Sequence, residues 1–578
     1  VLGLAAGLPL LAAGCVSVPT TGPVSPVTPS GSFVARGGDI DVRPPDVDAT
    51  PLAIVQGFLL AMASGATDLS QARLFLVPDK QEGWQPSRVL IYSNTAVPKA
   101  TGTSVVLETG TLVGQLDDKG AFRRVVTGTT HDFGMRKDAD GQWRIGNPPP
   151  ALLLSRSFFQ TFYSSYNLYF FEPTYRRLVP DPIFLPYSRG SSQLAAALVQ
   201  SLIEGPTDFL RASVRNAIPA GTQLEAQSVV VQGGIADIQL SDPVLTLNEQ
   251  QRTLMAAQLS WTLDQVSDLR GLQINNGTLP IDGTVNTGPD AYLPVEVSEP
   301  FGPVPNLDPD LFGLLGKAAV AVDVLDERAE TRPVPGPLGA GDYDLVSFAV
   351  SATGERAAAV TATDELHVGP LSGPLDKVLS GVGRLLRPQM VLDEAWTISQ
   401  RGGVATVRVV RGKKAVQVDA PWLEGDEIVA FRVAADGTRI AVVRSVDAGS
   451  ELGLMAILRA DDTITLGPLR PIDVVAVDNY NFDAKVLIDV AWQNSTTLMV
   501  LGGPGPRATM EPYTVGQNGY QIEKAGLSNN WGAKQLTAAP ATATKAVILG
   551  SQNRTFRFAS QSSWDLFSTD LRFVTFEG

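Results

Sequence analysis

A strand–turn–strand unit returns through residues 311–578 and limits that part of the chain to a repeating all-β architecture. Leu345–Val350, the turn Ser351–Glu355 and Arg356–Val360 make one copy. Ile428–Val433, the turn Ala434–Thr438 and Arg439–Val443 make a second. Ala395-Trp396 followed by Val404–Val409 reads as a third, divergent copy, and Val490–Trp492 followed by Leu498–Leu501 as a fourth. On this alignment Trp396 and Trp492 hold equivalent places and pack blade against blade. The spacing fits the four-stranded blade of a β-propeller, and five to seven blades of about 40–45 residues fill the segment. Closing such a ring hides the strand edges that would otherwise recruit other chains. Asp436-Gly437 supplies tight-turn chemistry, and Gly402-Gly403 and Gly502-Gly503 read as turn glycines. No Lys-Ser/Thr follows either glycine pair, so neither is a phosphate loop.

The opposite end of the chain obeys different rules. Val1–Ala13 is uncharged and apolar but too short to span a bilayer, which matches the core of a signal peptide. Leu11, Ala12, Ala13 and Gly14 then lead into Cys15, the single cysteine of 578 residues. Small residues directly before a cysteine resemble a bacterial lipobox, although Ala12 stands where Leu is commonest. The resemblance implies cleavage before Cys15 and acylation of its thiol. Residues 1–14 are therefore expected to be a signal peptide. Residues 15–48, rich in Pro, Ser, Thr and Gly, are expected to be a lipidated tether unable to bury enough surface to fold. A net charge of −14 repels phosphate backbones and anionic lipid alike. Nucleic acid is excluded on that ground, and membrane attachment falls to the lipid anchor.

Residues 49–180 start with helix signals. Thr50-Pro51 is an N-cap followed by proline at the first helical position, and Ile54, Val55, Phe58, Leu59 and Met62 recur at helical spacing. A second short helix is expected over Ser70–Leu76, stopping before Pro78. Strands are expected at Val105–Leu107, Thr111–Val113 and Phe122–Val126, with a hairpin at Asp140-Gly141 before Trp143. Helices first and a curved antiparallel sheet after is the order of an NTF2-like α+β domain. His131 and Asp132 lie here as pocket candidates, but one histidine without neighbouring ligands makes no metal site. Phe158–Phe171 is dense in aromatics, which suits a packed joint between domains better than an open contact surface.

In residues 181–310, Ser192 is expected to cap a helix ended by Gly205-Pro206. Strands flank Gly233-Gly234, Asn248 with Gln251 forms a capping box, and Leu272–Ile274 is a strand. Leu202–Pro206, Ile218-Pro219, Gly234–Leu240 and Leu259–Leu263 together resemble the GerMN domain of spore-germination and cell-envelope proteins. The resemblance implies an α/β assembly module with no catalytic residues to carry over.

The expected fold class is therefore multidomain α+β and all-β: an NTF2-like domain (49–180), an α/β GerMN domain (181–310) and a β-propeller (311–578). Lipobox, tether and these three modules, in this order, resemble the LpqB lipoproteins of actinobacteria. That resemblance implies a cell-membrane, extracytoplasmic accessory protein. It implies contact with the extracytoplasmic domain of a sensor histidine kinase of the MtrA–MtrB type, tuning cell-wall homeostasis and division. No cofactor and no catalytic residue are expected. His131 and His367 fall in different domains, the cysteine is committed to lipid, and no metal-ligand spacing occurs. Lys413-Lys414 and Arg176-Arg177 read as solvated charge pairs. Two alternatives stay open: a module binding cell-wall polysaccharide or peptidoglycan, and a glycan hydrolase using a carboxylate pair distant in sequence.

Overall fold

The computed structural model describes residues 43–578 apart from 65–68, 110–111, 126, 188–189, 226–228, 280, 287–290, 305–307, 326–327, 448, 461–462, 475–483, 527–530, 541–544 and 561–562. Leu11–Cys15 and the tether as far as residue 42 lie outside these residues, as do Thr111 and Val126. Residues 41–578 form one compact unit. Among the described residues no helix is long and apolar enough to cross a membrane.

Helix α1 (Pro51–Ser64) begins where Thr50 Oγ1 accepts from Ala53 N at 3.2 Å. It buries Ile54, Val55, Phe58 and Met62 in the first core. The expected second helix is cut to one turn, Ser70–Arg73, and Pro78 starts the next turn (Pro78–Gln81) instead of ending the last. Proline has no N–H to lose at a first helical position, so it starts a helix as readily as it stops one. The sheet is mixed rather than purely antiparallel: Val89–Tyr92 pairs antiparallel with Leu112–Leu116 but parallel with Leu152–Ser155. The Asp140-Gly141 turn joins Met135–Lys137 to Trp143–Ile145.

The aromatic stretch is α2 (Arg156–Phe162) followed by the strand Tyr163–Phe171, which pairs along its whole length with Leu178–Pro186. Its side chains are shared between neighbours. Phe159 and Tyr163 join the first core, whereas Tyr166 and Phe170 join the second. The second core is closed by α3 (Ser191–Glu204) and α4 (Glu249–Leu263) against the sheet Val230–Gln232, Ile235–Ile238, Gly271–Ile274 and Leu293-Pro294. Asn248 and Gln251 form the capping box reciprocally, at 2.9 and 3.0 Å. Gly190, not Ser192, is the N-cap of α3. Ser192 lies inside the helix, and its hydroxyl accepts from Val231 N at 2.9 Å, tying helix to sheet.

Among the described residues, 311–578 form six sheets, each of four strands except two in which the inner or the outermost strand is split in two. We number these blades in chain order by their inner strands: Leu571–Phe576 (blade 1), Leu345–Val350 (blade 2), Gln389–Val391 (blade 3), Ile428–Val433 (blade 4), Val486–Trp492 (blade 5) and Gln535–Ala538 (blade 6). Each inner strand touches the next, and the sixth touches the first. Blade 1 is composite. Leu311–Leu315, Ala318–Leu325 and Arg328–Pro333 supply three strands, and Leu571–Phe576 supplies the innermost.

This register corrects two expectations. Trp396 is on the second strand of blade 3 (Glu394–Arg401), whereas Trp492 ends the inner strand of blade 5, so the two are not equivalent. The third repeat copy was therefore out of step by one strand. The true inner strand of blade 3 is short and turns at once through Leu392 and Asp393, both at positive φ (49° and 63°). Gly502 and Gly503 are also not turn residues. They end a strand of blade 5, where a Cβ on Gly502 would lie 2.5 Å from the Leu487 side chain. Close packing, not turn geometry, selects glycine there. Gly402 and Gly403 do turn, at φ 59° and 81°.

Candidate functional site

The residues singled out in the sequence do not converge. His131 sits on a short strand, its Nε2 2.9 Å from Asn147 O and its ring edge-on to Phe133. Asp132 accepts from Ser104 Oγ and Gly134 N, both at 2.9 Å. These contacts hold the turn after that strand against Asn147, whose Nδ2 donates to Asp132 O at 2.7 Å. His367 is in blade 2, 3.4 Å from Glu365 Oε2. Lys413 pairs with Asp376 on the surface, and Arg177 donates to Gly302 O at 3.4 Å. Trp396 is fully buried, its Nε1 donating to Glu394 Oε2 at 3.2 Å. Trp492 Nε1 donates to Arg432 O at 3.2 Å. Both rings pack under an arginine, Arg459 over Trp396 and Arg439 over Trp492, at 5.8 and 5.1 Å. Among the described residues, no group of three or more His, Cys, Asp or Glu is placed to hold a metal ion.

Two polar arrangements stand out instead. The first is at the propeller axis. In blade 3 the strand Arg384-Leu385 and the strand Gln389–Val391 pair with the same neighbour, but their registers differ by one residue. The segment 386–388 is thus a bulge, held open by Pro388, which has no N–H for the ladder. From it Arg387 Nη2 donates to both oxygens of Asp489 in blade 5, at 2.9 and 3.1 Å, and to Leu536 O in blade 6 at 3.1 Å. One side chain thereby ties three blades together. Burial pushes the Asp489 carboxyl up, and Arg387 opposes that. Residues on the inner strands of blades 4–6, the strand Arg384-Leu385 and the bulge line an open cavity of ≈ 210 Å³.

The second arrangement is the seam between the propeller and the rest of the chain. Arg439 opens the second strand of blade 4 and is 0 % exposed. It pairs with Asp436 and donates to Gln517 Oε1, Ser495 O and Pro180 O at 2.5, 3.1 and 3.4 Å. Pro180 belongs to the long hairpin, so this guanidinium reaches out of the propeller into the second module. Next to it Asp181 accepts from Thr207 N and Oγ1 at 2.7 and 2.8 Å. Arg470 lies over the Phe209 ring at 4.0 Å and donates to Gln517 O at 2.7 Å. An aromatic cluster of Phe122, Phe159, Phe184 and Tyr520 joins all three modules, with ring centroids 4.8–6.0 Å apart. Lys119 Nζ donates to Glu204 O, Gly205 O and Pro206 O, filling the open carbonyls at the end of α3.

Burial raises the Asp181 carboxyl to about 6, the Thr207 hydrogen bonds pulling it back only in part. Its folded value therefore exceeds the ordinary 3.8. The folded chain binds a proton that the unfolded chain lacks as pH falls below about 6. The stabilisation is complete below the unfolded value and lost as pH rises through the folded one. Relative to Asp181→Asn, the wild type should gain roughly 1 kcal/mol in denaturant unfolding between pH 7 and pH 5. A pH-independent difference would mean that Asp181 does not titrate in this window.

Comparison with known proteins reproduces the modular order. Residues 44–160 match the family model "Lipoprotein LpqB, N-terminal domain". Residues 167–280 match "Sporulation and spore germination", and residues 323–572 match "Lipoprotein LpqB beta-propeller domain". Lipoprotein LpqB of Cutibacterium acnes is 28 % identical over 583 residues, covering 96 % of this chain and 95 % of that one. The Thermobifida fusca protein of the same name is 29 % identical, with 92 % of each chain covered. That of Mycobacterium bovis is 30 % identical, covering 75 % of this chain and 76 % of its relative. These relatives are named as a lipoprotein and not as an enzyme. With that identity and coverage across all three modules, the chain belongs to the LpqB lipoprotein family.

Proposed function

We propose that this chain is a non-catalytic, lipid-anchored regulator on the extracytoplasmic face of the cell membrane, acylated at Cys15. It acts by binding the extracytoplasmic domain of a sensor histidine kinase of the MtrA–MtrB type and so tunes cell-wall homeostasis and division. The observation that carries the reading is membership of a lipoprotein family by a chain whose three modules are locked through buried polar contacts. Such a body keeps a fixed relation between its surfaces and so meets a partner largely pre-formed. The lipid anchor would confine it to the membrane that holds the kinase.

The test is to immobilise the chain from Val16 onward and titrate it with the kinase's extracytoplasmic domain. Saturable binding below roughly 100 μM, about 5.5 kcal/mol, is the expected result. It should be lost on deleting either the second module or the propeller. No saturation at high micromolar concentration would reject the kinase contact. Retention of the same chain on purified cell wall would then favour the polysaccharide- or peptidoglycan-binding alternative.

A further inference from the structure

The cavity at the propeller axis has a lining that packing does not require. Its charged lining residues are Arg384, Arg387 and Arg432 against the single carboxylate of Asp489. Three guanidiniums for one carboxylate, in a chain of net charge −14, is a local reversal of sign. Asp489 is also saturated. Besides Arg387, its oxygens accept from Val490 N and Leu536 N at 2.9 and 2.8 Å. It has little capacity left for a second arginine.

Arg387 is not saturated. Its side chain is 13 % exposed, its Nη2 makes all three of the bonds described above, and its Nη1 is buried with no hydrogen-bond partner among the described residues. A shielded guanidinium N–H without an acceptor costs free energy unless something fills the place. The other two arginines compete weakly for local acceptors. Arg432 Nη1 donates to Phe431 O of its own strand at 2.6 Å, and Arg384 is exposed. Arg432 also lines a smaller void bordered by inner-strand residues of all six blades. The inner strands of blades 1, 2, 4 and 5 carry register shifts of their own, at Arg572, Val346, Val429 and Ile488. Bulges of this kind re-aim side chains toward ligands in other proteins.

We propose that the axial cavity is a binding site for a small oxyanion, a carboxylate or a phosphate group. Arg387 is its pre-oriented floor, and Arg384 and Arg432 are the residues that close on the anion. Guanidinium forks match both groups because each presents two coplanar acceptor oxygens. The inference stands apart from the kinase reading and survives its failure.

The test uses the full chain in detergent, titrated calorimetrically with inorganic phosphate and, separately, with succinate, against sodium chloride of matched ionic strength. Saturable binding of one or both is expected, and the tighter anion identifies the class. Arg432→Gln and Arg384→Gln should each weaken it by roughly ten-fold or more, while the melting temperature without ligand stays unchanged. Arg387→Lys keeps the charge and removes the fork, and should weaken binding even where the fold is intact by circular dichroism. Absence of saturable heat with both anions overturns the proposal, as does binding that persists undiminished in the Arg384→Gln, Arg432→Gln double variant.

Discussion

Removing Leu571–Gly578 should open the propeller and abolish its cooperative unfolding at the wild-type temperature. The deleted strand is the innermost of blade 1, although it lies far along the chain from its three partners. It pairs with Leu311–Leu315 and places Leu571, Phe573, Val574 and Phe576 at 0–8 % exposure. Arg572 Nη2 adds a bond to Leu345 O in blade 2 at 2.7 Å, and Gly578 N donates to Val350 O at 3.0 Å. Burying four such side chains is worth roughly 6–12 kcal/mol at about 1.5–3 kcal/mol each. A whole domain is stable by only about 5–15 kcal/mol. The loss therefore matches the total; the edge of Leu311–Leu315 in blade 1 is left unpaired, and blades 2 and 6 lose the neighbour packed between them. Calorimetry should show the propeller transition gone or lowered by tens of degrees, with proteolysis appearing within 311–570. The milder Leu571→Ala should cost about 2–5 kcal/mol through the cavity it leaves. A truncated chain that melts within a few degrees of the wild type would mean that the ring does not depend on this clasp.

The blade repeat was legible because its inner and second strands are apolar runs separated by short polar turns. Leu345–Val350 with Arg356–Thr361 and Ile428–Val433 with Arg439–Val446 fall where the periodicity places them. The capping box at Asn248 was legible for a similar reason: it is a local contact between residues three apart. Blade 3 was misaligned because its inner strand is split by the Arg387 bulge. Its longest apolar runs, Glu394–Arg401 and Val404–Arg411, are the second and third strands. A bulge adds one residue and breaks the period on which such reading depends. Arg387 was hidden for that reason, and the sign that points to it is the Arg-Pro pair interrupting an apolar strand.

The seam shows a different limit. Arg356 and Arg439 open equivalent strands in blades 2 and 4, and the sequence around them is alike. Only Arg439 is wholly buried, because the hairpin carbonyl of Pro180 and the Gln517 and Ser495 turns close over it. What covers a side chain depends on contacts hundreds of positions away in the chain. No repeat alignment contains that information.

Replacing Arg439 should accordingly do far more damage than replacing Arg356. In Arg439→Met, Asp436 is left 1 % exposed without its counter-charge, and the Gln517 side chain and two carbonyls lose a donor. Breaking a buried pair from one side costs about 3–5 kcal/mol, chiefly because a charge remains in a place that cannot solvate it. The methionine keeps most of the apolar stem against Trp492, whose ring lies 5.1 Å from the guanidinium, so lost packing is a small part. A double-mutant cycle separates the contributions. If the uncompensated carboxylate dominates, adding Asp436→Ala to Arg439→Met should recover part of the loss, since no ion then stays buried. Thr438 would still lose the acceptor that Asp436 Oδ1 gives its N and Oγ1 at 2.9 and 2.6 Å, so recovery should be incomplete. Thermal unfolding measures stability, and limited proteolysis at the 163–186 hairpin measures the seam. If the hairpin is cut faster while the propeller core stays intact, Arg439 acts mainly as a clamp between modules. If both give way together, the pair belongs to the stability of blade 4 itself. An Arg439→Met variant no less stable than Arg356→Met would refute the account of the seam, because it would mean that neither the burial nor the pairing of Arg439 carries the cost.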